Sequence, residues 1–448
     1  MNRKIILVLT IILILIIGIF LYFKFTGNNN VPSEGTGGGL KNLLPFGTDN
    51  SSKNTPNTGN TPLIIGTSNT STEDGDGLSN IIQRLRHYTI VPTSGHIVLE
   101  KEKDVIKDRI KVKEKGYYIR YMDRATGHIF ESKSDNPEIQ KVSNTTIPKV
   151  YETIFTPSGN SLITRFLDAD ENIISYYITL KDKITPVSTT PKTSTSTQTV
   201  NAKTIEEKSV LKDIVGTYLT PNIKEVALSP SGTKILESLY GGDGGILSIL
   251  DSNKKSRTVL SHPLREWLLA MPSEAKAVIT TKPSGLSLGF SYLLDTNTGS
   301  LSKIVGGIKG LTVLPNKNLV TFLIGNTSNS LELSLYSKDE IKGISLKTLP
   351  EKCVWSNKMT DVVFCAVPEN IPFGTYPDIW YKGKVLFNDT LWSINTKTGE
   401  TKLISNLPKE SGQQIDAINL QISSDDNYLT FINKVDLTLW GIDLTLKK

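Results

Sequence analysis

The sequence predicts an all-β fold built from a repeated unit, and three observations lead to this prediction. From residue 95 to the end of the 448-residue chain, short apolar runs alternate with turn residues. The alternation has the two-residue period of strands, and no long run has the 3.6-residue period of an amphipathic helix. A hairpin of one pattern also recurs along this region at a nearly constant spacing.

Six stretches share an apolar strand, a Ser/Pro turn with a polar tip and a second apolar strand. They are IFTPSGNSLIT, ALSPSGTKILE, LAMPSEAKAVI, TVLPNKNLVTF, VWSNKMTDVVF and QISSDDNYLTF, and they begin at residues 154, 227, 269, 312, 354 and 421. Successive turn positions are 73, 42, 43, 42 and 67 residues apart. A period near 42 is typical of one four-stranded blade of a β-propeller.

The two long spacings contain insertions. Residues 185–208 are rich in Ser, Thr and Pro, and residues 368–390 form the second insertion. Three further units carry a Thr-Gly turn and are expected to form the two outer strands of a blade: RYMDRATGHIFES, YLLDTNTGSLSKI and LWSINTKTGETKLI, from residues 120, 292 and 391. The first has no Ser/Pro hairpin before it and therefore predicts a seventh blade.

These elements predict a seven-bladed β-propeller over residues 81–448. The chain ends soon after the third strand of the last blade, so this blade needs a fourth strand from elsewhere. Residues 84–100 are expected to supply it, because such closure removes the free sheet edge.

The first 25 residues predict a membrane anchor. Residues 5–23 carry no charge and would span roughly 28 Å as a helix, about one hydrocarbon thickness. A cleaved signal peptide is the alternative, although its apolar core is usually shorter. Arg3 and Lys4 precede the run and Lys24 follows it, which predicts a single-pass protein with a cytoplasmic N-terminus and an extracytoplasmic propeller.

Residues 26–80 predict a flexible linker rich in Gly, Asn, Ser, Thr and Pro. Its two short apolar segments, residues 43–46 and 63–65, are either docking segments or isolated apolar patches within the linker. The net charge of +6 is spread without a long basic run, which argues against nucleic acid as a partner.

The chain contains only two cysteines, Cys353 and Cys365. They are equidistant from the centre of the fifth repeated hairpin near Met359, so they should face each other across two antiparallel strands. Opposed positions lie within disulfide reach, and a pair outside the cytoplasm is expected to oxidise. The alternative is two reduced, buried thiols.

The insertion at 368–390 is the strongest surface candidate, because it is aromatic in a chain with 7% aromatic residues. Its candidate binding residues are Phe373, Tyr376, Asp378, Trp380, Tyr381 and Lys382. Exposed aromatic side chains beside charged groups are typical of a protein or carbohydrate contact. The alternative is that the loop folds over the propeller and buries its aromatic side chains.

No catalytic or metal site is predicted, and no cofactor. The segment GLSLG satisfies the nucleophile-elbow pattern around Ser287, but a strand pattern follows where the elbow requires a helix. The four histidines, His87, His96, His128 and His262, form no spaced metal pair and are expected to be structural or on the surface.

The hairpins ALSPSGTKILE and VWSNKMTDVVF resemble the repeat of the TolB-type, WD40-like propeller family. The resemblance covers about 350 residues; it implies the fold and a binding role, and it implies no functional residue. The function we expect is a non-catalytic protein-binding or scaffolding module in the envelope of a bacterial cell. The alternative is an envelope enzyme, a hydrolase or lyase acting on polysaccharide or peptide at the propeller axis.

Overall fold

The computed structural model describes residues 84–107, 110–136, 138–182, 211–319, 322–326 and 331–446. Their strands form seven separate four-stranded antiparallel sheets. The first strands of neighbouring sheets approach one another and surround a common axis. The contacting pairs include Thr93–Lys107 with Val150–Phe155, Glu225–Leu228 with Trp267–Ala270, and Cys353–Trp355 with Ala417–Ile422. The seven-bladed all-β propeller that the sequence predicts is therefore confirmed.

The first four blades follow the chain in order. Blade 1 comprises β2 (Thr93–Lys107), β3 (Ile110–Asp123), β4 (Ile129–Lys133) and β5 (Ile139–Ser143). Blade 2 comprises β6 (Val150–Phe155), β7 (Ser161–Leu167), β8 (Ile173–Asp182) and β9 (Lys212–Tyr218). Blade 3 comprises β10 (Glu225–Leu228), β11 (Ile235–Tyr240), β12 (Gly245–Leu250) and β13 (Ser256–His262). Blade 4 comprises β14 (Trp267–Ala270), β15 (Lys276–Thr281), β16 (Leu288–Asp295) and β17 (Leu301–Lys309).

The remaining blades carry the few helical turns. Blade 5 comprises β18 (Thr312–Pro315), β19 (Phe322–Asn326), β20 (Glu332–Ser337) and β21 (Glu340–Ile344). A 3₁₀ turn (Pro350–Lys352) precedes blade 6, which comprises β22 (Cys353–Trp355), β23 (Val362–Pro368), β24 (Asp389–Asn395) and β25 (Thr401–Asn406). Helix α1 (Asp378–Tyr381) lies between β23 and β24, and α2 (Leu407–Ser411) follows β25. Blade 7 comprises β26 (Ala417–Ile422), β27 (Tyr428–Asn433), β28 (Leu439–Asp443) and β1 (Leu85–His87).

Ring closure uses the first strand of the described chain. Strand β1 pairs with β28 in the register Leu85↔Ile442 to His87↔Trp440, so it is the fourth strand of blade 7. The His87 ring stacks on the Trp440 indole at a centroid distance of 4.1 Å. The predicted closure by residues 84–100 is confirmed, and the sheet edge of β28 is covered.

The repeated Ser/Pro hairpins form the first two strands of blades 2 to 7, and the turns of blades 2 and 3 share one geometry. Gly159 and Gly232 occupy equivalent positions with φ of 68° and 72°, a conformation that glycine adopts without a steric penalty. Each turn is closed by a backbone hydrogen bond to the residue three positions earlier, Gly159 N to Thr156 O (2.7 Å) and Gly232 N to Ser229 O (2.8 Å).

The Thr-Gly units are outer strands in two of the three cases. The units from 292 and 391 form β16–β17 and β24–β25, the third and fourth strands of their blades. The prediction was wrong for the unit from 120, which forms β3–β4, the second and third strands of blade 1. The reason is that blade 1 opens with a long hairpin, β2–β3, whose turn has no Ser/Pro pattern.

Because strand direction alternates within a blade, the loops divide between two faces. We call the insertion face the side that holds the loops between second and third strands and the connections between blades. The turn face is the opposite side, with the turns between first and second and between third and fourth strands. The described chain begins at Arg84 on the turn face, where β1 starts.

Side chains from one blade donate to backbone carbonyls of the next and hold the ring together. Arg120 in blade 1 donates to Gly159 O (2.7 Å), and Arg165 in blade 2 donates to Ile223 O (2.8 Å) before blade 3. Such guanidinium bonds satisfy carbonyls that would otherwise be buried without a partner.

The disulfide between Cys353 and Cys365 is confirmed. The two residues are directly opposed in the β22–β23 ladder, with a Cα–Cα distance of 4.1 Å. Both side chains are buried beside Trp355 and Val363 in the core of blade 6.

Several predicted segments lie outside the described residues. These are the anchor at 5–23, the linker at 26–80 and the insertion at 185–208. Within the described part of the chain, helices are too short and too polar to cross a membrane.

Replacing both cysteines, C353A/C365A, should lower the free energy of unfolding by about 3 kcal/mol, because the unfolded chain regains the entropy of a short loop. Urea unfolding of the full chain with and without reductant measures this. Reductant should lower the midpoint of the wild type and leave that of the double variant unchanged. Equal midpoints for both proteins under oxidising conditions would contradict the prediction.

Leu85→Ala should destabilise the ring closure by about 2–3 kcal/mol, because it leaves a cavity in the core between blades 6 and 7. Leu403→Ala on the exposed face of β25 is the matched control and should change stability by less than about 0.5 kcal/mol. Limited proteolysis and urea unfolding measure the difference. Similar effects at the two leucines would show that β1 does not contribute to closure.

Candidate binding surface

The second insertion connects β23 to β24 on the insertion face of blade 6. Three of its aromatic side chains are buried, Tyr376, Trp380 and Phe387 being 3%, 4% and 1% exposed. They pack against Leu331 of blade 5 and Leu349 in the connection between blades 5 and 6. The insertion therefore has a small apolar core of its own, which rests on the propeller.

Other candidate residues of the insertion remain accessible. The Phe373 side chain is fully exposed, Tyr381 is 40% exposed, and Lys382 is exposed. Of the six candidate binding residues, Tyr376 and Trp380 are thus enclosed, while these three face solvent. The binding role of this set stays a prediction.

Contacts to three blades fix the position of the insertion. The Asp378 carboxylate accepts a hydrogen bond from Gly285 N of blade 4 (2.8 Å). The Tyr381 hydroxyl donates to the Glu351 carboxylate before blade 6, and the Lys434 ammonium of blade 7 donates to Trp380 O. Burial raises the pKa of the Tyr381 hydroxyl, and the neighbouring Glu351 carboxylate adds to this.

A buried ionic cluster lies beneath the insertion. The ammonium of Lys352 lies 2.8 Å from Asp389 Oδ2 and 2.5 Å from Asp416 Oδ1, and all three side chains are completely buried. Nothing in the sequence pattern indicates this cluster, because the partners belong to strands far apart in the chain. Burying three charges is costly unless each is paired, so the cluster requires the close contacts seen here.

Burial shifts the ionisation of this cluster. It raises the pKa of Asp389 to about 6, although the Lys352 ammonium opposes the shift. Burial also lowers the pKa of Lys434 to about 8, and here the Asp416 carboxylate opposes the shift. The Lys434 ammonium lies over the Trp380 ring, 3.9 Å from its centroid.

Carboxylates also surround the axis near the start of the innermost strands on the insertion face: Glu152, Glu225, Glu266 and Glu351. Glu152 pairs with the Arg165 guanidinium at 2.6 Å. Burial raises the pKa of Glu225 to about 7, and the Glu152 charge adds to this. Among the described residues, no group of three or more His, Cys, Asp or Glu side chains could hold a metal ion.

The remaining sequence candidates take part in structural contacts. Ser287 lies in a loop between two strands, β15 and β16, and not at the strand-to-helix turn of a nucleophile elbow. His96 is buried in β2, the first strand of blade 1, where its Nε2 contacts Thr430 Oγ1 at 2.9 Å. Burial lowers the pKa of His96 to about 3, so it is neutral at physiological pH.

Exposed apolar side chains in the described loops lie almost entirely on the insertion face. Seven large ones are on this face: Ile90, Val91, Leu264, Leu286, Phe373, Tyr381 and Val435. On the turn face there is one, Met359, which is 49% exposed. Accessible apolar groups concentrated on one side of a propeller are typical of an interaction surface.

A groove on the outer side of blades 6 and 7 contributes a second apolar surface. It has a volume of about 700 Å³ and is lined by Arg84, Met359, Phe364, Leu403, Leu444 and Leu446, among others. Its rim carries the exposed ammonium groups of Lys358 and Lys402. The groove opens at the turn-face end of the ring.

No protein-family model matches the chain, and no curated protein does. Solved structures do match, and one of them is the crystal structure of TolB from Acinetobacter baumannii. It aligns with a TM-score of 0.39 at 10% sequence identity over 68% of this chain and 78% of that chain. The assignment as a seven-bladed propeller rests on the seven sheets and their closure.

Glu225→Gln should stabilise the protein by about 1–2 kcal/mol at pH 8 and by much less at pH 4. The folded chain holds a proton on Glu225 up to about pH 7, whereas an ordinary glutamate loses it near pH 4.5. The free energy of unfolding therefore falls as the pH rises between these values, and the amide removes this loss.

Urea midpoints of wild type and variant at pH 4, 6 and 8 measure the effect. Glu340→Gln, at an exposed position of β21, is the control and should show no comparable gain. A Glu225→Gln gain that is the same at all three pH values would contradict the assigned shift.

Proposed function

We propose that this chain is a non-catalytic protein-binding module whose contact surface is the insertion face around Phe373. The observation that carries the proposal is the distribution of exposed apolar side chains, seven on the insertion face against one on the turn face in the described loops. A phenylalanine that is fully exposed on a well-anchored loop loses water only when a partner covers it.

The fixed position of the insertion supports this proposal. Its apolar core and its bonds to Gly285, Glu351 and Lys434 hold the loop without a partner. A partner would then bind to a preorganised surface and lose less conformational entropy. Phe373 and Tyr381 supply the aromatic anchors, and Lys382 supplies a charge at their edge.

We also propose that the module acts in the cell envelope, carried outside the membrane by an anchor at residues 5–23 and a linker at 26–80. The support is the uncharged apolar run in the sequence and the disulfide, since disulfides persist in oxidising compartments.

No observation in the described residues favours the alternative of an enzyme with its site on the propeller axis. The axial carboxylate of Glu152 pairs with Arg165, and that of Glu351 accepts a bond from Tyr381. Side chains engaged in this way serve the structure of the ring. A binding role therefore accounts for the surface more simply than a hydrolase or lyase.

Site-specific photo-crosslinking in intact host cells tests the binding proposal. A benzophenone amino acid at position 373 should give a discrete protein adduct, recovered with the membrane fraction. The matched control is the same amino acid at position 359, which is exposed on the turn face and should give none. Adding Leu286→Ala on the neighbouring loop should reduce the adduct at 373 about tenfold, the factor for about 1.4 kcal/mol.

Equal adducts at positions 373 and 359 would show non-selective contact and contradict the proposal. Absence of any adduct at 373 would contradict it as well. An adduct at 359 alone would move the contact surface to the turn face.

A further inference from the structure

The side chain of Lys352 is in an unusual chemical setting. It has no exposed surface, and its ammonium lies within 3.0 Å of Asp389 Oδ2, Asp416 Oδ1 and Ala417 O. The rings of Trp380 and Phe387 cover it, with their centroids 5.2 Å and 5.4 Å from Nζ. An amine held against two carboxyl groups in a dry site has the components for amide formation.

We propose that Lys352 Nζ and the Asp389 side-chain carboxyl form an intramolecular isopeptide bond, with Asp416 as the base that removes the proton from the amine. This is a self-modification site, and it is independent of the binding surface proposed above.

Hydrogen bonding distinguishes the two aspartates. Asp416 Oδ2 accepts from Trp380 Nε1 (2.9 Å) and from Phe387 N (3.1 Å), and donors of this kind stabilise the anionic form. The Oδ1 atom of Asp416 lies against the Lys352 ammonium, so Asp416 is placed to act as the base. A carboxylate is a poor electrophile, which argues against Asp416 as the residue that is attacked.

Asp389 has the opposite environment. Its Oδ1 is buried and accepts no hydrogen bond from the described residues, so a proton on this oxygen displaces no other contact. Its Oδ2 accepts from Ala417 N at 2.6 Å. This N–H can stabilise the negative charge that develops on Oδ2 when the amine attacks. Burial raises the pKa of Asp389, which increases the fraction in the neutral acid form that reacts.

The reaction balances in atoms and charge. The Asp416 carboxylate takes one proton from the Lys352 ammonium, and the neutral amine attacks Cγ of the protonated Asp389. The C–N bond forms, the C–Oδ1 bond breaks, and the leaving hydroxyl takes a second proton from the amine and departs as water. One amide, one water and a protonated Asp416 result, and the total charge remains zero.

Two features of the site favour this outcome. A buried ammonium–carboxylate pair is costly in an apolar environment, and the reaction replaces it by a neutral amide and a neutral acid. The fixed approach of the amine to the carboxyl group replaces a bimolecular encounter by an intramolecular one. The apolar core of the insertion keeps bulk water away from the amide.

Peptide mapping of the full chain tests the proposal, after denaturation, reduction, alkylation and trypsin digestion. The bond blocks cleavage after Lys352 and joins peptide 348–358 to peptide 385–397, which contains Asp389. The branched product should weigh about 18 Da, one water, less than the two separate peptides. Recovery of free peptide 348–352 without the branched product would overturn the proposal.

The peptide map also distinguishes the two carboxyl groups that the amine could attack. A branch to peptide 410–434, which contains Asp416, would overturn the assignment of Asp389. Lys352→Arg keeps the charge but removes the reactive amine, and its intact mass should equal that of the unmodified sequence. Asp416→Asn keeps one oxygen that can accept from Trp380 Nε1 and Phe387 N but removes the carboxylate, so it should reduce the branched product at least about tenfold if Asp416 is the base. A single cooperative urea-unfolding transition shows that each variant is folded.

Discussion

The ring depends on the pairing of three residues at the start of the described chain. Leu85, Arg86 and His87 supply the fourth strand of blade 7, and without them β28 would present an open sheet edge. The same strand reaches in the other direction, since the Arg86 guanidinium donates to Lys133 O (2.8 Å) in blade 1. One short strand thus joins the last blade to the first, and each blade then has a neighbour on both sides. This closure keeps the innermost strands around one axis and gives the molecule its two opposite faces.

The two faces differ in their exposed apolar residues because their loops make different contacts. On the turn face, hairpin turns of successive blades bond to one another: Ser231 N to Glu274 Oε1 (2.7 Å) between blades 3 and 4, and Asn357 N to Asp426 Oδ1 (2.8 Å) between blades 6 and 7. Such contacts require polar residues at the turn tips. The loops between second and third strands lie outside these turn contacts, so they can lengthen and hold apolar residues without loss of the ring.

The sequence predicts what is local and repeated in this fold. Strand pairs with a two-residue period, joined by turns that recur about every 42 residues, predict the blades. The equal distance of Cys353 and Cys365 from one of these turns predicts that the two cysteines pair. The strand positions of the Thr-Gly unit in blade 1 were predicted wrongly, because the β2–β3 hairpin lacks the Ser/Pro turn that marks the other hairpins. Within the insertion no period distinguishes inside from outside. The sequence therefore could not show that Trp380 is buried and Phe373 exposed.

Lys352 could not be found from sequence for a related reason. Its partner Asp416 is 64 residues away and belongs to the next blade, and a single lysine before a strand normally predicts a solvated side chain. The cluster forms only when the insertion folds over it, because Trp380 and Phe387 donate to Asp416 and also exclude water. The insertion consequently has two structural roles: its inner side encloses a charged cluster, and its outer side presents Phe373. A loop that only presented a binding surface would not need buried charges beneath it. A loop that encloses a charged cluster must be firmly attached to the propeller, because water would otherwise reach the charges. The same attachment makes the outer surface of the loop rigid.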